Sequence, residues 1–141
     1  MTKPPATVIV VDDDDVLRGA LAQWLQLSGF RVLTASSAAA VPALLRAHEV
    51  DALLTDVRMP GQSGMDLLRT LRESMPNLPV VLLTGHGDVP MAVEAMRIGA
   101  MDFMEKPFNP DKMTALAKKA TQMRRMTLDN RALRRDLSEG Q

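Results

Sequence analysis

The 141-residue chain contains no cysteine. Disulfides and thiolate metal sites are therefore excluded, and the composition accords with a reducing compartment. Aromatic residues are almost absent as well: Trp24, Phe30, Phe103 and Phe108 are the whole set. That is too few for stacking bases on exposed rings, which argues against a nucleic-acid reader of that kind. No apolar run approaches the roughly 20 residues needed to cross a bilayer. The start, Met1-Thr2-Lys3-Pro4-Pro5, lacks the apolar segment of a secretory signal. The expectation is a soluble cytoplasmic protein, without internal repeats or low-complexity segments.

Net charge is also missing, since 17 Lys and Arg balance 17 Asp and Glu. The balance is uneven along the chain. Residues 1–110 carry nine basic and thirteen acidic side chains, and residues 111–141 carry eight and four, which describes an acidic globule with a basic tail. A hydrophobic content of 46% can fill the core of one domain of about 100–150 residues.

What is present is a regular alternation. Short apolar or β-branched runs at residues 7–11, 31–35, 52–56, 79–84 and 101–104 read as strands. Between them lie helical patterns. The first runs through Val16, Leu17, Ala20, Leu21, Trp24, Leu25 and Leu27, with Asp14 or Asp15 as its cap and Gly29 as its end. The second opens at Ser37 and continues to about His48, and the third contains Met65, Leu67, Leu68 and Leu71. The fourth has Asp88 placed to cap it, Pro90 in its first turn and Ala92, Val93, Ala95, Met96 and Ile98 as apolar positions. Five strands alternating with helices call for a doubly wound α/β sandwich: a parallel sheet with helices on both faces.

In such sheets the ligand crevice lies beyond the carboxyl ends of the strands. Those ends deliver Asp12 and Asp13, Asp56, Thr84 and Lys106. Asp56 closes the run Ala52-Leu53-Leu54-Thr55-Asp56, just before Met59-Pro60-Gly61 halts regular structure. Taken alone, an acid there is an ordinary turn former. Taken with the others, it becomes the candidate reactive residue. Three carboxylates gathered together repel one another unless a cation compensates, and an all-oxygen donor set suits Mg2+ better than zinc. A carboxylate beside such an ion can attack phosphorus and form an acyl phosphate. Lys106 would then offset phosphoryl charge, and the Thr84 hydroxyl would donate to a phosphoryl oxygen. Asp14 and Asp15 read as capping or solvated acids, and His48 and His86 are single, unclustered residues without an assigned role. Gly85-His86-Gly87 lacks the Gly-Lys-Ser/Thr continuation of a nucleotide loop.

Val10-Val11-Asp12-Asp13, Thr55-Asp56-Val57-Arg58-Met59-Pro60-Gly61, Leu83-Thr84-Gly85 and Lys106-Pro107-Phe108 resemble the signature segments of response-regulator receiver domains of two-component signalling. The resemblance covers residues 7 to about 122, with four separated motifs in the family's order. It implies a flavodoxin-like sheet of strand order 2-1-3-4-5. It also implies phosphorylation of Asp56 by a sensor histidine kinase, and Mg2+ bound by Asp13, Asp56 and the backbone carbonyl of Arg58, with Asp12 contributing through water. Thr84 and Phe103 correspond to a hydroxyl and aromatic switch pair. Phe at that position, where many relatives carry Tyr, leaves no hydroxyl at the ring tip. An aspartyl-phosphate phosphatase is the competing reading from another class, but it needs a second Asp where this chain has Arg58. A stand-alone phospho-switch module and an inert dimerisation module are further alternatives.

Nothing breaks a helix between residues 110 and 137, a span of roughly 40 Å at 1.5 Å per residue. Met113, Leu116, Ala117 and Ala120 are expected to pack on the sheet. Met123, Met126, Asn130, Leu133 and Leu137 follow coiled-coil spacing, so residues 1–122 read as the receiver and 123–141 as a dimer-forming linker. Arg124, Arg125, Arg131, Arg134 and Arg135 are expected on a solvated face. The segment Leu128-Asp129-Asn130-Arg131-Ala132-Leu133-Arg134-Arg135-Asp136-Leu137 resembles the linker of the nitrogen-regulator class, especially dicarboxylate-transport regulators. That resemblance implies a sigma-54-dependent ATPase output, with DNA and RNA polymerase engaged only through domains not in this chain. The seam, beside the switch-like Thr84 and Phe103 pair, leads to the expectation of a homodimer paired through the C-terminal helix and the fourth and fifth helices.

Overall fold

The computed structural model describes residues 4–85 and 88–139. Five strands, β1 (Thr7–Val11), β2 (Arg31–Ala35), β3 (Ala52–Asp56), β4 (Val80–Thr84) and β5 (Asp102–Glu105), alternate with α1 (Asp15–Leu27), α2 (Val41–Ala47), α3 (Gly64–Ser74), α4 (Val89–Ile98) and α5 (Pro110–Glu139). The strands form one parallel sheet in the order β2-β1-β3-β4-β5. Every residue of β1, β3 and β4 is buried, as expected for central strands covered on both faces.

Two apolar layers flank the sheet. Ile9, Leu53 and Leu82 point to the side packed by Leu67, Leu68 and Leu71 of α3 and Ala95 of α4. Val8, Leu54, Val81 and Leu83 point to the side packed by Leu21 and Leu25 of α1 and by Met113, Ala117 and Ala120 of α5. The alternation along each strand is the period-2 rule of the pleat. Because α1 leads from β1 out to β2 while α3 leads from β3 the other way to β4, the chain reverses its winding between β1 and β3, and a crevice opens there.

Helix ends follow local chemistry. Asp14 caps α1 through its side chain, which accepts the amides of Val16 and Leu17. Ser63 and Asp66 make a reciprocal capping box at the start of α3. Gly29 and Gly99 follow α1 and α4 with φ of 98° and 127°, a region open to glycine at little cost.

Several expectations are corrected. The helix expected over residues 37–48 is a 3-10 turn, Ala38–Ala40, running into the shorter α2. Ser37 makes no side-chain cap bond, and Pro42, whose ring cannot follow a helical turn, sits where the true α-helix begins. The fifth strand lies one residue later than residues 101–104. Val16 and Leu27 lie on the outer face of α1, 84% and 78% exposed, instead of in its apolar stripe. Asp88 makes no side-chain cap bond on α4. Arg125 is not a solvated side chain: its guanidinium donates to the Pro4 carbonyl at 2.7 Å and pairs with Asp51 at 3.6 Å. Met123 and Met126 are exposed on α5, whereas the expected seam positions Asn130, Leu133 and Leu137, and Arg131, Arg134 and Arg135, have side chains outside the described residues, as does His86.

Candidate functional site

The crevice at the carboxyl ends of β1 and β3 is built from acids. Asp12 follows β1, its amide held by the Ala35 carbonyl at 3.1 Å. Its side chain is fully buried; Oδ1 accepts the Asp14 amide at 2.9 Å. Oδ2 is buried without a hydrogen bond, and Lys106 Nζ lies 3.6 Å away. Burial raises the Asp12 pKa above the usual carboxylate value, against the opposing pull of the Asp14 amide and Lys106. Asp13, next along, is exposed.

Asp56 ends β3 and is 7% exposed. Its Oδ1 accepts the backbone amide of Arg58 at 3.2 Å, and its Oδ2 accepts from Lys106 Nζ at 3.1 Å. Gly64, the first residue of α3, packs against this turn so closely that a Cβ there would be driven into the Asp56 carbonyl oxygen. The glycine is thus required by close approach and not by its backbone angles.

Lys106 leaves β5 with its amide on the Thr84 carbonyl at 2.8 Å. Burial alone would lower the pKa of its ammonium, but the hydrogen bond to Asp56 and the charges of Asp12 and Asp56 outweigh it and hold the pKa above the ordinary lysine value. Carboxylate oxygens of Asp12, Asp13 and Asp56 lie within 4.8 Å of one another. Three acids thus face one ammonium, and one buried acid oxygen lacks a hydrogen-bond donor. An all-oxygen set of this size and charge fits a hard divalent cation.

The remaining predicted residues are placed differently. Thr84 is fully buried at the end of β4, and its hydroxyl donates to the Met104 carbonyl at 3.1 Å, toward β5 and not toward Asp56. Phe103 is half-buried on β5, paired in register with Leu82, and packs against the layer formed by α3 and α4. Arg58 meets Asp56 only through its backbone. Its guanidinium leaves the crevice and grips Asp88: Nε lies 2.8 and 2.9 Å from the two carboxylate oxygens, and Nη2 lies 2.7 Å from Oδ1. That hydrogen-bonded pairing depresses the Asp88 pKa and raises that of Arg58.

Sequence reasoning missed this pair because its members are thirty residues apart and Asp88 has an ordinary local role available at a helix start. It also missed Arg72, half-buried in the last turn of α3, whose guanidinium donates to the carbonyls of Met75, Pro76, Leu78 and Gly99. An arginine serving backbone carbonyls has no spacing signature. Arg18, which donates to the Asp12 carbonyl at 2.8 Å and pairs with Asp15 at 2.6 Å, could have been found as the basic residue one helical turn after Asp15.

Known proteins share this arrangement of strands. Residues 8–118 match the response regulator receiver domain family. The C4-dicarboxylate transport transcriptional regulatory protein DctD of Pseudomonas aeruginosa is 47% identical over 132 residues, which is 94% of this chain and 29% of the relative. The transcriptional regulatory protein FixJ of Rhizobium meliloti is 50% identical over 102 residues, 72% of this chain and 50% of the relative. The chain therefore spans less than a third of that DctD and about half of that FixJ. Among solved structures, NtrX from Brucella abortus in complex with ADP superposes with a TM-score of 0.85 at 32% identity, covering 92% of this chain and 30% of that one. The FixJ-N crystal structure gives 0.78 at 43% identity, covering 86% and 96%. With its sheet order, its acid crevice and its matched segment in agreement, the chain belongs to the family of response regulator receiver domains of two-component signalling.

Proposed function

We propose that Asp56 is the phosphoacceptor, taking its phosphoryl group from a phosphohistidine of a sensor histidine kinase. A carboxylate oxygen of Asp56 attacks phosphorus, the P–N bond breaks, and the departing imidazole keeps the electron pair and takes up a proton, leaving an acyl phosphate on Asp56. The observation that carries this reading is the meeting of Asp56 Oδ2 with Lys106 Nζ at 3.1 Å, inside a cluster that also holds Asp12 and Asp13.

Mg2+ would be held by Asp13, Asp56 and the Arg58 carbonyl, with Asp12 acting through water. When bound, it would supply positive charge against which the acids and an incoming phosphoryl group can approach one another. Lys106 neutralises a phosphoryl oxygen, and Thr84 gives up the Met104 carbonyl to donate to another. Phe103 follows into the space that Thr84 leaves. The chain's own chemistry is confined to gaining and losing this phosphoryl group.

Residues 1–122 act as the receiver and 123–141 as the linker. Two chains pair through α5, with Val93 and Met96 of α4, 52% and 39% exposed, adding to the contact. By likeness to DctD, the output controlled is sigma-54-dependent transcription, carried by domains beyond this chain. An aspartyl-phosphate phosphatase is not favoured, because the position for its second acid is Arg58, turned outward onto Asp88.

Acetyl phosphate with Mg2+ should label the wild-type chain once, and Asp56→Asn should abolish the label. Labelling that survives in Asp56→Asn, or turnover of a small phosphate ester by the wild type, would overturn the assignment.

A further inference from the structure

We infer that the Arg58 and Asp88 side chains form a latch that holds the start of α4 in its unphosphorylated placement, and that Asp88 has a second position as the cap of α4. The inference rests on Asp56 being the phosphoacceptor only for what releases the latch. The latch itself stands on geometry. Asp88 occupies the N-cap position of α4, its carbonyl accepting the Ala92 amide at 3.1 Å, yet its carboxylate makes no cap bond. That carboxylate is spent on Arg58, in a two-pronged contact of 2.8 and 2.9 Å from Nε with a third from Nη2 at 2.7 Å.

A cap side chain serves the amides two and three places on. Here the first of these is Pro90, which has no N–H, so the Met91 amide is the one donor that Asp88 could satisfy. The helix start therefore has a third-position amide with no partner inside the helix and, beside it, a carboxylate engaged elsewhere.

The two ends of the latch differ in freedom. The Asp88 side chain is 12% exposed, and the Arg58 side chain is 70% exposed, so the arginine can leave without disturbing the core. Its backbone already touches the reactive acid, the amide lying 3.2 Å from Asp56 Oδ1, which puts the guanidinium one side-chain length from any group added there. A phosphoryl group brings about two negative charges, more than the single charge of Asp88, and a guanidinium can grip two of its oxygens at once. Arg58 turns to the phosphoryl oxygens, Asp88 is released, and its carboxylate rotates onto the Met91 amide, tightening the first turn of α4. Arg58 is a positioning residue in this scheme, since in the resting chain its side chain acts through Asp88.

Backbone NMR of the full chain tests the inference. In Arg58→Ala without phosphate or beryllofluoride, the Met91 amide should exchange about fivefold more slowly than in wild type, and α4 resonances should move in the direction that beryllofluoride moves them in wild type. Asp88→Ala should displace the same resonances but leave the Met91 amide in fast exchange. Arg58→Ala spectra that keep the wild-type resting positions would overturn the latch, as would slow Met91 exchange in Asp88→Ala. If beryllofluoride leaves wild type unchanged while Arg58→Ala still shifts α4, the latch stands and the phosphoacceptor reading fails.

Discussion

Lys106 and Asp56 lie fifty residues apart in the chain and 3.1 Å apart in space, ammonium to carboxylate, on the rim of a sheet whose third and fifth strands never touch. The contact spans β4 from one side to the other. It exists because β3, β4 and β5 run parallel and end together, so that residues just past each strand share one edge.

Removing that ammonium leaves Asp12 and Asp56 facing one another with one cation fewer. Lys106→Met should slow labelling by acetyl phosphate by about a hundredfold, a loss of the size seen when a positioned donor to developing charge is deleted. The label should still map to Asp56. Single-time-point phosphoprotein gels followed by a rate series would check both parts.

The buried Asp12 carboxylate carries a cost. Burial raises its pKa, so holding its charge within the fold opposes stability, and the Asp14 amide and Lys106 offset only part of that. Asp12→Asn should therefore stabilise the metal-free protein by about 1 kcal/mol, a rise of about 4 °C in melting temperature. The same change should weaken Mg2+ binding, so added Mg2+ should raise the wild-type melting point more than that of the variant. Calorimetric scans with and without the ion give both numbers.

The Arg58 and Asp88 pair has a defined pH window. Asp88 has its folded pKa pushed below the ordinary 3.8 by the Arg58 hydrogen bond. A depressed carboxylate contributes stability above its unfolded value and loses it as pH falls through the folded one. The pair should persist unchanged from neutral pH down to about pH 4 and open only in stronger acid. A carboxyl-carbon NMR titration of Asp88 should give a midpoint below that of an exposed aspartate, and Arg58→Ala should raise that midpoint, the Met91 amide replacing only part of what the guanidinium supplied.

Gly64→Ala should be among the most damaging single-methyl changes in the chain. The added carbon would meet the Asp56 carbonyl oxygen and the Val57 Cα, both backbone atoms that cannot swing aside. A loss of about 3 kcal/mol is expected from overpacking of this kind, measurable as a lower urea midpoint. Labelling of Asp56 should fall with it, because the displaced carbonyl is that of Asp56 itself.

Strands were legible in the sequence where their surroundings are uniform. β1, β3 and β4 are buried on both faces, so apolar residues occupy every position and only the ends carry polar groups. The rim acids and Lys106 were legible for the same reason, since a parallel sheet places strand ends together regardless of what the side chains do. The start of α2 was not, because Ala38, Ala39 and Ala40 suit a helix by propensity while Pro42 forces the tighter turn before it. Asp88 was misjudged because a cap is a local prediction and its partner is a distant one. The direction of the Thr84 hydroxyl, aimed at Met104, is a rotamer choice that no spacing encodes.

Anchoring of the tail offers one more measurable consequence. Arg125→Ala removes the bonds to the Pro4 carbonyl and to Asp51. The cost in stability should be small, about 1 kcal/mol, because the pair is partly open to water. Amide exchange in the last turns of α5 should nonetheless quicken, while exchange in β1 and β4 stays as it was.

Asp51, which receives Arg125, sits just before β3, and Asp56 is the last residue of that buried five-residue strand. At about 3.3 Å per residue, roughly 17 Å of stiff backbone separates them. The middle of the long C-terminal helix is thereby moored to the far end of the same beam that carries Asp56, so the distance between mooring and acid stays constant however the loops between other strands rearrange.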